Sequence, residues 1–456
     1  MPTPRRAHRP RKRQSHDTPA TTARDLIARV LTAQAARFPE IEPVELSTQA
    51  LPDREAALAH ALYDAAIRRW LTLEWLIDRH MTQPFRGVEP ALQAVLLTGV
   101  AQLALFDRLP AHAVVDEAVA WAKRRIRPGA GSLVNAVLRK TAAAIDEPTD
   151  ADTGNAIPLP DGRWRPLTTP LPDDRLERLA ITTSTPPTVL RRWRRHLSFD
   201  DATAAAHHAL ARPPTILNTR HADQPLPDTL APHAEPGHHL WTGDRQALTD
   251  LLESHADLWA QDPASTGAVR SAHDLRPALV ADLCAGQGTK TRQLAATFPD
   301  AQIVASDVDE RRFATLHATF EDHPRVQVLP PAEAVERLRG AADLILLDVP
   351  CSNTGVLARR VEARYRATPA ALARLVDIQR GLIADGIPML APGGSILYAT
   401  CSLEREENDD IAAWAITTLG LKASRTRRTH PDAPEGPATS VDGSYSVLLT
   451  PQSPPA

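Results

Sequence analysis

From about Leu279 onward the chain alternates short apolar runs with amphipathic stretches, and nothing else in the sequence limits the fold as strongly. Leu279-Val280-Ala281-Asp282-Leu283, Ile303-Val304-Ala305, Leu344-Ile345-Leu346-Leu347 and Ser395-Ile396-Leu397-Tyr398 each suit a buried strand. The segments between them suit helices. Strands alternating with helices imply a mostly parallel sheet covered on both faces, since the crossover helices lie over it. Aromatic residues are only 4% of the chain, which argues against a sandwich or jelly roll. In open α/β sheets ligands bind beyond the carboxyl ends of the strands.

All three cysteines of the chain, Cys284, Cys351 and Cys401, directly follow such strands. A sparse, odd set in 456 residues is no disulfide framework and points to a reducing compartment. Three thiols at three strand ends are expected to converge on one cleft. After the first strand comes Asp282-Leu283-Cys284-Ala285-Gly286-Gln287-Gly288-Thr289-Lys290. Its glycines let backbone approach a ligand and open amides at a helix start, with Gly288 expected to matter most. The spacing is not that of a P-loop. Asp307, about 20 residues on and after the second strand, is placed for ribose hydroxyls, so the pair suggests an adenosine-containing cofactor. The third strand leads into Asp348-Val349-Pro350-Cys351-Ser352 and the fourth into Ala399-Thr400-Cys401-Ser402.

The first half reads differently. Residues 1–21 carry Arg5, Arg6, Arg9, Arg11, Lys12 and Arg13 with no acid before Asp17, a self-repelling run expected to be disordered. Residues 22–145 show apolar positions at helical spacing, as in Leu58, Leu62, Ala65, Ala66, Arg69 and Trp70. Pro90 suits a helix start. Residues 146–180 lose all period and read as a linker. Residues 181–270 form a small α+β subdomain in which Arg191, Arg192, Arg194 and Arg195 flank Trp193. That run is either a solvated helix face with one buried Trp or a phosphate-tracking patch. Residues 271–450 form the α/β domain. No apolar run approaches the roughly 20 residues of a membrane helix, and the N-terminus has no secretory h-region, so a cytoplasmic protein is expected. The 17 histidines show no metal spacing, and no metal is expected.

The segments 282–290, 348–355 and 398–408 resemble three motifs of the NOL1/NOP2/Sun family of RNA cytosine-C5 methyltransferases. These are its S-adenosylmethionine turn, its Asp-Ala-Pro-Cys box and its Thr-Cys-Ser box. Glu406-Glu407-Asn408, Gly355-Val356-Leu357, Arg359 and Arg360 also resemble that family. Residues 109–119 (Leu-Pro-Ala-His-Ala-Val-Val-Asp-Glu-Ala-Val) and 132–139 (Ser-Leu-Val-Asn-Ala-Val-Leu-Arg) resemble NusB, an RNA-binding helical fold. This layout is that of the bacterial Sun (Fmu) type, which acts on small-subunit (16S) ribosomal RNA. The implied fold is multidomain, α plus α/β. An all-α NusB-like domain precedes a small α+β RNA-binding subdomain and a Rossmann-like S-adenosylmethionine-dependent methyltransferase domain.

Cytosine C5 is too weak a nucleophile until a thiolate adds at C6. Thiol chemistry alone does not choose between Cys351 and Cys401. The resemblance implies Cys401 as nucleophile, Cys351 as the thiol assisting release, and Asp348 on the cytosine N3/N4 edge and near the cofactor. It implies cofactor contacts from Cys284, Ala285, Gly286, Gln287, Gly288, Thr289, Lys290, Asp307 and Asp348. The chain departs from the family pattern at Gln287, where proline is usual, at Thr289, and at Val349. Residues 326–331 lack the usual adenine-holding acid, for which Glu333 is the candidate replacement. The expected partner is RNA, with no membrane, and the chain is expected to be a monomer. Rival readings are a transfer-RNA cytosine-C5 methyltransferase, a non-catalytic RNA-binding or ribosome-assembly factor, and a small-molecule methyltransferase.

Overall fold

The computed structural model describes residues 20, 22–107, 109–222, 225–433 and 436–452. All but one residue of the basic segment expected to be disordered lies outside them. The chain divides into two compact units. One comprises Met1–Arg37, Val44–Ala66 and Leu76–Ala143; the other comprises Phe38–Pro43, Ile67–Trp75 and Ala144–Ala456.

The first unit is helical. Pro90 opens the helix Pro90–Leu105, as its fixed φ and missing N–H favour. That helix is apolar all round and buried at every position from Leu92 to Gln102, the pattern of a central core helix. The helices Ala23–Ala35, Ala111–Arg125 and Ala130–Ala143 pack around it. The continuous period read across residues 58–77 is broken at Arg69, between the helices Asp53–Arg68 and Trp70–Asp78. The Arg69 guanidinium donates to the carbonyls of Thr182 and Pro158 there, so residues 67–75 belong to the second unit.

The second unit is built on a seven-stranded sheet. Its strands are β1 (Leu279–Asp282), β2 (Gln302–Ala305), β3 (Val326–Val328), β4 (Ala342–Asp348), β5 (Leu390–Thr400), β6 (Leu421–Thr429) and β7 (Ser444–Pro451). They lie in the order β6-β7-β5-β4-β1-β2-β3. β5, β4, β1, β2 and β3 run parallel; β7 and β6 close one edge antiparallel. Each central strand is buried on both sides. Ile345, Leu347, Ala281 and Tyr398 face one core, while Leu344, Leu346, Val280 and Leu397 face the other, the period of two that a strand imposes.

Residues 146–180 are not a structureless linker. They form a hairpin, Ala156–Pro158 against Trp164–Pro166, and start the helix Arg175–Thr183. Asn155 stabilises the hairpin by donating to the carbonyls of Leu167 and Thr169, a side-chain bond that composition does not reveal. Residues 181–270 carry the helices Pro187–Trp193 and Phe199–His208 and a small antiparallel sheet. Within that sheet Asn218 is buried and donates to Gln261, a structural role. Among the described residues no helix is long and apolar enough to cross a membrane.

Candidate active site

Two neighbouring strands build the centre of the site. β4 and β5 are parallel and register Asp348 opposite Ala399, so both chains leave the sheet at the same end. Cys351 follows one strand and Cys401 the other. Their sulfurs are 3.3 Å apart. Cys351 is buried, and the hydrogen bond with Cys401, reinforced by burial, pushes its thiol well above the ordinary value. Cys351 therefore keeps its proton at neutral pH and can donate it.

Asn353 completes this pair. It has a left-handed backbone, φ 59°, which is uncommon for a residue with a side chain. That turn lets its Nδ2 donate to the Cys351 carbonyl at 2.8 Å while its Oδ1 accepts from the Cys401 Sγ at 3.2 Å. Asn353 carries no signal in a sequence read for thiols and acids; only the two-residue offset from Cys351 hints at a tight turn.

Asp348 ends β4 and accepts from the Lys290 ammonium at 2.7 Å. Burial alone would lower the Lys290 pKa, but the adjacent Asp348 carboxylate outweighs it and the ammonium is held charged. Lys290, Asp348 and the thiol pair thus share one sheet end, as the sequence suggested.

The turn after β1 lies at the same end. Gly286 and Gly288 both have positive φ. Contrary to expectation, Gly288 is not the glycine that opens the turn: a Cβ there would lie 2.4 Å from the Phe320 ring, so its bareness serves packing. At Gly286 a Cβ would meet nothing within 4 Å. The Gly286 amide donates to Asp307 at 2.9 Å, and the Asp309 amide holds the other Asp307 oxygen at 2.8 Å. Asp282 is fully buried; Thr291 donates to its Oδ2, and its Oδ1 has no protein partner. Burial raises its carboxyl to about 7. The Ser306 hydroxyl, at the end of β2, is likewise buried and unpartnered. Gln287 and Thr289 are exposed and Ala285 is buried. Among the described residues a thiol–thiol hydrogen bond joins Cys351 and Cys401. Burial, then the Asp282, Asp348 and Asp307 charges, push the Cys284 pKa up. Glu333 sits in the exposed first turn of the helix Pro331–Leu338.

The arginine run splits. Arg191, Arg194 and Arg195 are exposed, but Arg192 is buried and gripped by Glu404 at 2.7 and 3.1 Å. Trp193 donates to the same carboxylate at 3.2 Å. Glu404 lies three residues after Cys401, so Arg192 anchors the thiol loop. Arg359 is also structural, tied to Asp442 and Asp262.

The family described as 16S rRNA methyltransferase RsmB/F matches residues 274–436, and the NusB family matches residues 21–143. The ribosomal RNA small subunit methyltransferase B of Klebsiella pneumoniae subsp. pneumoniae is 30% identical over 409 residues, spanning 85% of this chain and 89% of that protein. The chain belongs to the RsmB/F family. The protein of the same name from Cronobacter sakazakii is 28% identical over 450 residues, covering 92% of this chain and 98% of that one. In fold, the crystal structure of PH0851 superposes with a TM-score of 0.66 at 19% identity, over 94% of this chain and 99% of that one. Members of the RsmB/F family are S-adenosylmethionine-dependent methyltransferases, and the residues present fit that cofactor. It carries a cationic sulfonium, an ammonium and ribose hydroxyls. The strand ends offer the acceptors such donors need: the unpartnered Asp282 Oδ1 and Ser306 Oγ, and the Asp307 carboxylate.

Proposed function

We propose that this chain methylates C5 of a cytosine in small-subunit ribosomal RNA through a transient bond between the Cys401 sulfur and cytosine C6. The observation that carries this reading is the 3.3 Å separation of the Cys351 and Cys401 sulfurs beside Asp348 and Lys290. A single catalytic thiol would not need a second one in contact with it. Cys401 is the more exposed of the two and adds to C6. Asp348 takes the N3/N4 edge of the base and favours the protonated ring, which draws electrons from C6. Bound S-adenosylmethionine supplies the electrophilic methyl group. Asp282, Gly286 and Asp307 would hold that cofactor, and Val308, 81% exposed beside Asp307, offers apolar surface for its purine. Water takes the C5 proton, its electron pair re-forms the C5–C6 double bond, and the Cys401 sulfur leaves as a thiolate to which the adjacent Cys351 thiol can donate its proton.

The NusB-like unit and the exposed Arg191, Arg194 and Arg195 are suited to phosphate contacts that fix RNA without reading sequence. The target base must leave its stack to reach a thiol, so unfolded or loop RNA is the better substrate. A monomer is the proposed state. Transfer of labelled methyl to unmethylated small-subunit RNA, with transfer RNA in parallel, tests the reading. Label at C5 of cytosine in the ribosomal RNA is expected. Label in transfer RNA alone would overturn the substrate, and failure to bind S-adenosylmethionine would favour an RNA-binding factor.

A further inference from the structure

Below the thiols lies a carboxylate that the reaction does not itself require. Glu407 has no exposed surface. Its Oε2 accepts from the hydroxyls of Ser352 and Ser402, both at 2.5 Å. Its Oε1 accepts from the Ser352 amide at 2.9 Å and from the Gln379 Nε2 at 3.0 Å. Ser352 directly follows Cys351, and Ser402 directly follows Cys401. One carboxylate therefore fastens both thiol loops at a single oxygen. Gln379 extends the grip by donating to the Pro350 carbonyl, on the other side of Cys351. Asn408 does the same around Cys401, accepting from the Thr400 hydroxyl and donating to the Ser402 carbonyl.

This carboxylate is a poor source of stability. Burial raises its pKa even though its hydrogen bonds to Ser352, Ser402 and Gln379 act to lower it, so its ionised form costs folding free energy. A neutral side chain of the same shape would be easier to bury. Its partners nonetheless sit beside thiols. Charge-assisted bonds to two serine hydroxyls are stronger and more directional than a bond between the hydroxyls alone.

We propose that Glu407 is a positioning residue that sets the distance between the Cys351 and Cys401 sulfurs, and that this distance governs release of the methylated RNA. The second half rests on the reading of Cys401 as nucleophile and Cys351 as the releasing thiol. Release needs both sulfurs in contact, whereas the initial attack needs only one. A shift of about 1 Å can slow such a step by up to about a hundredfold.

Glu407→Gln keeps the shape and removes the charge. Two readouts follow it. The first is the rate at which diamide closes a Cys351–Cys401 disulfide, read as the mass loss of the intact protein; it needs no RNA. The second is the fraction of enzyme held as a covalent RNA adduct during turnover. The variant is expected to close the disulfide about tenfold more slowly, to accumulate adduct with the KM for S-adenosylmethionine unchanged, and to melt no lower than wild type. Ser402→Ala, which removes one arm of the clamp, should move both readouts in the same direction and decides the matter if Glu407→Gln does not fold. An unchanged disulfide rate together with no added adduct would overturn the proposal. If Cys351→Ala forms no adduct with RNA, the reading of the thiols fails, and the disulfide rate alone then decides the role of Glu407.

Discussion

The two halves of the site, at the ends of one sheet, are built in opposite ways. Around the thiols at the ends of β4 and β5, the buried carboxylates are answered from within the chain: Glu407 by Ser352, Ser402 and Gln379, and Glu404 by Arg192 and Trp193. At the ends of β1 and β2, buried acceptors stand open: Asp282 Oδ1 and Ser306 Oγ. A reacting pair must be held in place before the substrate arrives, because chemistry tolerates little misplacement. A binding surface must keep its polar groups free for the molecule it binds. On the proposed reading, the same end of the sheet holds a closed half for the reaction and an open half for the cofactor.

Asp348 borders both halves and gives the largest expected effect. Asp348→Asn keeps the shape but removes the charge that Lys290 faces, and kcat should fall by about a hundredfold to ten-thousandfold in the methyl-transfer assay. A change below tenfold would separate Asp348 from the chemistry and weaken the comparison. Next comes the closed half. Arg192→Met leaves Glu404 buried without its main partner, and urea unfolding should show a loss of about 3–5 kcal/mol. The open half is probed by pH. The folded-state pKa of Asp282 is raised, to about 7, so the folded protein holds a proton that the unfolded chain releases. Its contribution to stability is complete below about pH 4 and declines as pH rises through about 7. Asp282→Asn should remove that part of the pH slope in thermal melts; an unaltered slope would mean the buried carboxyl titrates normally. The smallest effect belongs to Arg191→Ala. It should change stability by no more than about 0.5 kcal/mol and weaken RNA binding in a salt-dependent way.

The sequence disclosed the parts whose signal is local. Apolar runs gave four strands of the sheet, and Pro90 opened its helix where expected. Cys351, Cys401, Asp348 and Lys290 could be named because each directly follows a strand or the glycine turn. What remained hidden depends on distant partners. Arg192 reads like its exposed neighbours because its partner Glu404 lies 212 residues away. Cys284 reads like the other cysteines, yet burial and the nearby Asp282, Asp348 and Asp307 charges push its thiol pKa up. β6 was missed because its residues Lys422, Arg425, Arg427 and Arg428 break any apolar pattern; as an edge strand it needs none. Asn353 acts through a backbone φ that no residue type announces.

The division of labour between the two thiols is the central claim, and trapping tests it most directly. Cys351→Ala and Cys401→Ala would each be incubated with S-adenosylmethionine and unmethylated small-subunit RNA. The products would be resolved under denaturing conditions, and the RNA-linked peptide would be sequenced by mass spectrometry. A stable RNA–protein adduct attached at Cys401 is expected in Cys351→Ala, and neither adduct nor methyl transfer in Cys401→Ala. An adduct attached at Cys351 in the Cys401→Ala protein would reverse the two roles and contradict that claim.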